Sequence, residues 1–156
     1  MDIDFPVDFM NDYHESTVEE NKEFNLFKFF QDFVNVLEGI KTQIKNIHWA
    51  SLKLPNRDRR GAHLYLDDLV ELVDKFQDFV AESAMGITNV SFEFNSVYGH
   101  SFQCSTTQEL MDYIIKETTR FYDSIPDKTI CVGIKSETET FILNLNQFVY
   151  RFKLTE

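Results

Sequence analysis

The feature that most constrains this chain is a long run of apolar residues at steps of three and four. From Glu23 to Ala50 these positions fall on one face of a helix: Leu26, Phe27, Phe30, Phe33, Val34, Leu37, Ile40, Ile44 and Ile47. Gly39 costs a helix about 1 kcal/mol relative to Ala, which is too little to end the pattern. The spacing predicts a long amphipathic helix that must bury one face against other helices.

A second helical pattern covers residues 61–85, and Gly86 suits the position just after a helix end. Its apolar face contains Leu69, Leu72, Val73, Phe76, Phe79 and Val80. The helical period breaks over residues 87–105. We expect a long crossover with a short helical turn there, because an isolated strand would have nothing to pair with.

Two capping boxes predict the remaining helices. Thr106 and Glu109 have the spacing of a capping box, and Pro126 is expected to stop the helix that follows. Ser136 and Glu139 have the same spacing and predict a last helix that ends near 154. The pattern therefore predicts an all-α protein, a ferritin-like four-helix bundle with a long crossover between helices two and three.

Composition limits the function classes. The 156 residues favour a single domain, with an acidic arm over 1–21 and the bundle over 22–156. The net charge of −11 argues against binding nucleic acid or an anionic membrane, and no apolar run is long enough to span a bilayer. Cys104 and Cys131 show no paired motif, so free thiols in a reducing, cytoplasmic compartment are expected, with one disulfide between them as the alternative. Arg57, Arg59 and Arg60 form solvated loop charge or a contact with an acidic neighbouring subunit.

The polar face of the second helix is mostly acidic: His63, Asp67, Glu71, Asp74, Asp78 and Glu82. His48 stands at the end of the first helix. The pairs His63/Asp67 and Asp78/Glu82 are each one helical turn apart, so each pair shares a face. Two imidazoles and three carboxylates are a plausible ligand set for iron, manganese or zinc. Taken singly, each residue also fits an ordinary helix-end histidine or a solvated charge.

These ligands cannot all meet within one chain. His63 and Glu82 are separated by roughly 28 Å along a straight helix, at 1.5 Å per residue. A two-fold axis between Leu72 and Val73 would bring the Asp78/Glu82 pair of one copy to the His63/Asp67 pair of another. Such isologous contacts are the commonest form of self-association.

The segments KNIHW, AHLYLDD and DKFQDFVAE resemble the Dps family, the ferritin-like proteins named for DNA protection during starvation. The final segment LNLNQFVYRFKL is similar to that family's last helix. The resemblance implies that His48, His63 and Asp67 bind iron from one subunit. It implies Asp78 and Glu82 as ligands from the two-fold partner, with Trp49 beside the iron.

The resemblance further implies a ferroxidase. Fe(II) would be oxidised by peroxide, or less readily by dioxygen, and stored as ferric iron inside a shell of twelve subunits. The acidic arm replaces the family's Lys-rich tail, so DNA binding through the N-terminus is not expected. The loop after Trp49 is longer than in the family, and the crossover has no match there. The alternative is a Dps-like fold reused as a structural or assembly component with a vestigial metal site.

Overall fold

The computed structural model describes residues 24–156, and this part of the chain is all-helical, as predicted. Its four α-helices are α1 (Leu26–Trp49), α2 (Arg59–Thr88), α3 (Thr107–Ser124) and α4 (Val132–Thr155). Short 3₁₀ turns follow α1 and precede α4, at Ser51–Lys53 and Thr129–Cys131. None of these helices is long and apolar enough to cross a membrane. The predicted arm over 1–21 lies outside the described residues.

Side-chain contacts show that α1 and α2 are antiparallel. Lys41 of α1 contacts Asp74 of α2, whereas His48, further along α1, contacts Asp67, which is earlier in α2. The first two helices therefore form a hairpin, and the end of α1 lies beside the start of α2.

The other two helices follow from aromatic contacts. Phe121, near the end of α3, stacks on Phe33, near the start of α1, so these helices are antiparallel. Phe76 of α2 stacks on Phe141, which is early in α4, and Tyr65 meets Phe152 near its end. The four helices therefore run up, down, down and up, and the crossover over 89–106 joins two parallel helices.

Large aromatic side chains fill the core between the helices. The ring centroids of Phe33 and Phe121 are 3.8 Å apart, and those of Phe76 and Phe141 are 4.0 Å apart. Every residue of the predicted apolar face of α1 is buried or packs on this core. Truncating one such ring to Ala costs about 3–5 kcal/mol, so the core fixes the relative positions of the helices.

The crossover lies directly against α1. A Cβ atom on Gly39 would overlap the carbonyl oxygen of His100, so the glycine allows the two backbones to touch. The Asn35 side chain accepts a hydrogen bond from the Tyr98 backbone N–H at 3.2 Å, and Gln43 Nε2 donates to the Cys104 carbonyl at 3.3 Å. The predicted short helical turn is wrong. Residues 89–106 contain no helix, and side chains of α1 provide hydrogen-bond partners for the backbone of this segment instead.

The predicted end of α2 at Gly86 is also wrong. The helix continues to Thr88, and Asn89 takes the left-handed conformation with φ 55°. Its N–H donates to the Met85 carbonyl at 2.9 Å. Asn tolerates this conformation better than most residues, so it ends the helix where Gly86 does not.

One of the two capping boxes is confirmed. Thr106 caps α3, and its hydroxyl accepts from the Glu109 N–H at 3.1 Å. Ser136 caps nothing, because α4 begins at Val132 and Ser136 lies inside it. Ile134, in the first turn of α4, is buried in the core, and this burial favours the earlier start.

Candidate metal centre

The hairpin of α1 and α2 brings three predicted ligands together. His48 is the last residue but one of α1, and His63 and Asp67 lie in the first turns of α2. One ligand atom from each residue lies within 4.8 Å of the others. A single chain therefore assembles an imidazole pair and a carboxylate at the end of its first hairpin.

The group is buried on its histidine side and open on its carboxylate side. His48 is 9% exposed, whereas half of the Asp67 side chain is accessible. The two imidazole rings have centroids 3.9 Å apart and are tilted by 48°. A cation can therefore approach over Asp67 and meet ring nitrogens held by the fold.

His48 is poised to bind rather than to carry charge. Its Nδ1 lies 3.1 Å from Asp67 Oδ1 but makes no hydrogen bond with any of residues 24–156. Burial lowers the pKa of His48, and the charge of Asp67 only partly opposes this. The neutral imidazole is the form that binds metal, and an unpartnered buried nitrogen costs about 1–3 kcal/mol.

His63 is held by a residue that the sequence reasoning missed. Its Nδ1 lies 3.1 Å from Ser51 Oγ and 3.3 Å from the carbonyl oxygen of His48. Ser51 opens the 3₁₀ turn directly after α1. In the sequence, Ser51 is marked only by its position two residues after the His-Trp pair. That position predicts no contact with His63 unless the structure of the turn is known.

Lysines of α1 partly neutralise the acidic face of α2, which the sequence reasoning also missed. Lys45 Nζ lies 3.8 Å from Asp67 Oδ1, and Lys41 Nζ lies 2.7 Å from Asp74. Lys41, Lys45 and His48 lie on neighbouring turns of α1, but only the packing of α1 on α2 shows which carboxylates they face.

Asp78 and Glu82 do not join the group. Both are exposed, and Asp78 is roughly 16 Å beyond Asp67 along the helix at 1.5 Å per residue. Neither makes an ion pair with any residue in the described part of the chain. Trp49 ends α1 and is 75% exposed, next in sequence to the group but not part of it.

Comparisons with protein-family models, curated proteins and solved structures found no match to this chain. The fold and the site define an all-α protein with a candidate metal centre of two histidines and one aspartate. Metal sites of borderline and hard cations usually have four to six ligands. Three protein ligands therefore leave coordination positions open for a substrate, for solvent or for side chains of another copy.

Proposed function

We propose that this protein is a Dps-like ferroxidase and iron-storage protein. Its substrate is Fe(II), its oxidant is peroxide or, less readily, dioxygen, and its site is shared across a two-fold interface. The single observation that carries the proposal is the convergence of His48, His63 and Asp67, whose ligand atoms lie within 4.8 Å. Residues of these types, at these places in the sequence, are the set that the family resemblance assigned to iron.

The path of the chain supports a ferritin-like bundle. Four helices that run up, down, down and up, with one long crossover between the second and third, are the arrangement of ferritin-like folds. The crossover of this chain is irregular and lies on α1. The irregular crossover covers part of α1, but the four helices keep the directions of a ferritin-like bundle.

The surroundings of the site support completion by a second copy. Trp49 and Leu52 flank it in sequence and are 75% and 83% exposed, and large exposed apolar side chains are typical of contact surfaces. The Asp78/Glu82 pair lies on the polar face that also carries Asp67. A two-fold axis near the middle of α2 brings that pair of one copy to the histidines of the other, twice per dimer.

The roles of the residues follow from their chemistry. His48 and His63 donate neutral nitrogens, and Asp67 with Asp78 and Glu82 of the second copy donates carboxylates that bind both oxidation states of iron. Two Fe(II) ions give one electron each. One peroxide molecule takes both electrons and two protons and becomes two water molecules. Few protein ligands per ion allow Fe(III) to leave for storage, for which we propose a shell of twelve subunits.

An iron oxidation assay tests the proposal. Fe(II) mixed with the full chain and peroxide should give a rapid rise in ferric absorbance. The double variant His63→Ala with Asp67→Ala should lose that rise. The variant His100→Ala with Asp112→Ala removes an exposed histidine and an exposed aspartate outside the site and serves as the matched control. Equal rates in the wild type and the His63/Asp67 variant would overturn the proposal.

One observation favours the alternative of a structural component with a vestigial site. The ammonium of Lys45, 3.8 Å from Asp67 Oδ1, occupies part of the space and charge that a cation would use. In that case the exposed apolar side chains at the site serve assembly alone. Self-association that persists in the His63/Asp67 variant, together with no oxidation by the wild type, would support this alternative.

A further inference from the structure

The 3₁₀ turn after α1 reaches back to the second histidine of the site. Resting on the metal centre proposed above, we propose that Ser51 is a positioning residue. The His48 carbonyl sets the tautomer of His63, with the proton on Nδ1 and Nε2 left to bind a cation, and the Ser51 hydroxyl fixes the orientation of that ring as its second partner. Nothing in the family resemblance assigns a role to this serine.

The two contacts of His63 Nδ1 decide the tautomer. The His48 carbonyl, 3.3 Å away, can only accept a hydrogen bond, so this contact needs a proton on Nδ1. Ser51 Oγ at 3.1 Å accepts the same proton as a second, shorter partner. In the other tautomer the lone pair of Nδ1 would face that carbonyl, and only the serine hydroxyl could donate to it.

The carbonyl is available because of its place in α1. His48 lies in the last turn, where a carbonyl lacks its usual helical partner four residues on, and the Ala50 N–H that turns back toward this oxygen leaves one of its two lone pairs free. The imidazole N–H of His63 supplies a partner. The contact therefore satisfies a helix end and fixes the ring orientation at once, as hydrogen bonds to the outer nitrogen of a metal-binding histidine commonly do.

The loop holds Ser51 in position from the far side. Leu54, at the end of the turn, is 2% exposed, and Asn56 is buried and donates to the Thr155 hydroxyl at 2.8 Å. The Asp58 N–H donates to the Thr155 carbonyl at 2.9 Å. Ser51 is itself 9% exposed, so a water molecule cannot easily replace its hydroxyl. The turn that contains Ser51 thus follows α1 directly, and the loop after it is anchored to the end of α4.

Nuclear magnetic resonance of the metal-free full chain, with ¹⁵N-labelled histidine, tests the tautomer directly. At mildly alkaline pH the wild type should show His63 with a protonated Nδ1 and an unprotonated Nε2, the signals being assigned by their loss in His63→Gln. Ser51→Ala should keep this tautomer, because the His48 carbonyl is still present, but the ring loses its second partner and should reorient, which shifts and broadens its ¹⁵N signals. Ser51→Thr keeps the hydroxyl and should restore the wild-type pattern, and Ser101→Ala, at an exposed serine elsewhere, should not change it.

Titration with Co(II), followed by its visible absorption, gives the second measurement. Ser51→Ala should bind Co(II) about 10-fold to 100-fold more weakly, the range for losing a partner behind a metal-binding histidine, and Ser51→Thr should recover most of the affinity. If Ser51→Ala does not fold, as judged by its nuclear magnetic resonance spectrum, the comparison moves to Ser51→Thr. Wild-type His63 ring signals and affinity in Ser51→Thr would support the role, and their loss in a folded Ser51→Thr chain would contradict it.

Unchanged His63 ring signals and a Co(II) affinity within about twofold in a folded Ser51→Ala chain would overturn the positioning role. A wild-type chain in which the His63 proton lies on Nε2 would also overturn the positioning role. Co(II) binding without oxidation of Fe(II) would refute the ferroxidase and leave the role of Ser51 intact. A wild type that does not bind Co(II) would overturn the metal centre itself.

Discussion

The two ends of the polar face of α2 carry similar side chains in different surroundings. At its start, His63 and Asp67 contact α1 and the turn that contains Ser51. Toward its end, Asp78 and Glu82 are exposed, and neither pairs with a charge among residues 24–156. The fold of one chain brings together His48, His63 and Asp67, which we call the built half of the candidate centre. Asp78 and Glu82, which we call the open half, have no such neighbours within residues 24–156, and in our proposal a second copy of the chain supplies them.

The middle of the face shows what ordinary structural charges look like in this protein. Lys41 pairs with Asp74 at 2.7 Å, and Lys75 pairs with Glu71 at 2.8 Å. Burial lowers the pKa of Lys41, but its hydrogen bond to Asp74 and the charge of Glu38 raise it by more, so Lys41 stays protonated. The two carboxylates in the middle of the face, Glu71 and Asp74, thus have lysine partners, and those of the open half have none among residues 24–156.

Removing a ligand from each half should have the largest effect and should separate the halves most clearly. At chain concentrations low enough to keep the protein monomeric, His63→Ala should weaken Co(II) binding by more than about 100-fold, since losing a mere supporting contact already costs 10-fold to 100-fold. Asp78→Asn should change it by less than about twofold. At higher concentrations, where sedimentation shows dimers, Asp78→Asn should weaken binding too. Equal effects of both variants in the monomer would break the comparison.

Acid should destabilise the built half through His48. His48 has a pKa below its ordinary value of 6.5, because burial disfavours the charged ring. The unfolded chain therefore takes up this proton more readily. The resulting stability is complete above pH 6.5 and is lost as the pH falls through the lower pKa of the folded state.

The measurement is urea unfolding of the metal-free chain between pH 8 and pH 5, a range chosen about the histidine pKa of roughly 6.5. The wild type should lose stability toward the acid end, and His48→Gln should lose less. Co(II) affinity should fall over the same range, because protons compete for the imidazoles. Parallel pH curves for the wild type and His48→Gln would show that His48 does not cause the loss.

Lys45 offers a smaller change that sharpens the account of the built half. Its ammonium lies 3.8 Å from Asp67 Oδ1 and competes with any cation bound there. Lys45→Gln should therefore strengthen Co(II) binding by about fivefold, which corresponds to about 1 kcal/mol for a partly exposed pair. Lys75→Gln makes the same charge change elsewhere on the hairpin and is the control. A weaker affinity in Lys45→Gln would mean that the lysine supports the site.

Local spacing in the sequence predicted the helices and the pairing of His63 with Asp67, whereas the prediction that His48 joins them came from the family resemblance. The apolar steps of α1 identified its buried face, and four-residue steps placed His63 and Asp67 together. Lys45 and Ser51 could not be predicted, since their contacts depend on how α1 and the following turn align with α2. Gly39 was expected only to weaken α1 slightly. Its role is to let the crossover backbone at His100 touch α1, and no local pattern predicts a contact between residues about sixty positions apart.

The smallest predicted effect is on the free energy of unfolding of the monomer. It tests whether Asp78 and Glu82 stabilise the single chain or contribute only when a second copy binds. Asp78 and Glu82 are like charges one turn apart, so Asp78→Asn with Glu82→Gln should stabilise the monomer by a few tenths of a kcal/mol. Asp74→Asn removes the partner of Lys41 and should instead destabilise it by up to about 1 kcal/mol. Urea unfolding of the three chains at one protein concentration makes this comparison. A loss of more than about 1 kcal/mol in the Asp78/Glu82 variant would be larger than like-charge relief allows and would mean that both halves of the face are held within one chain.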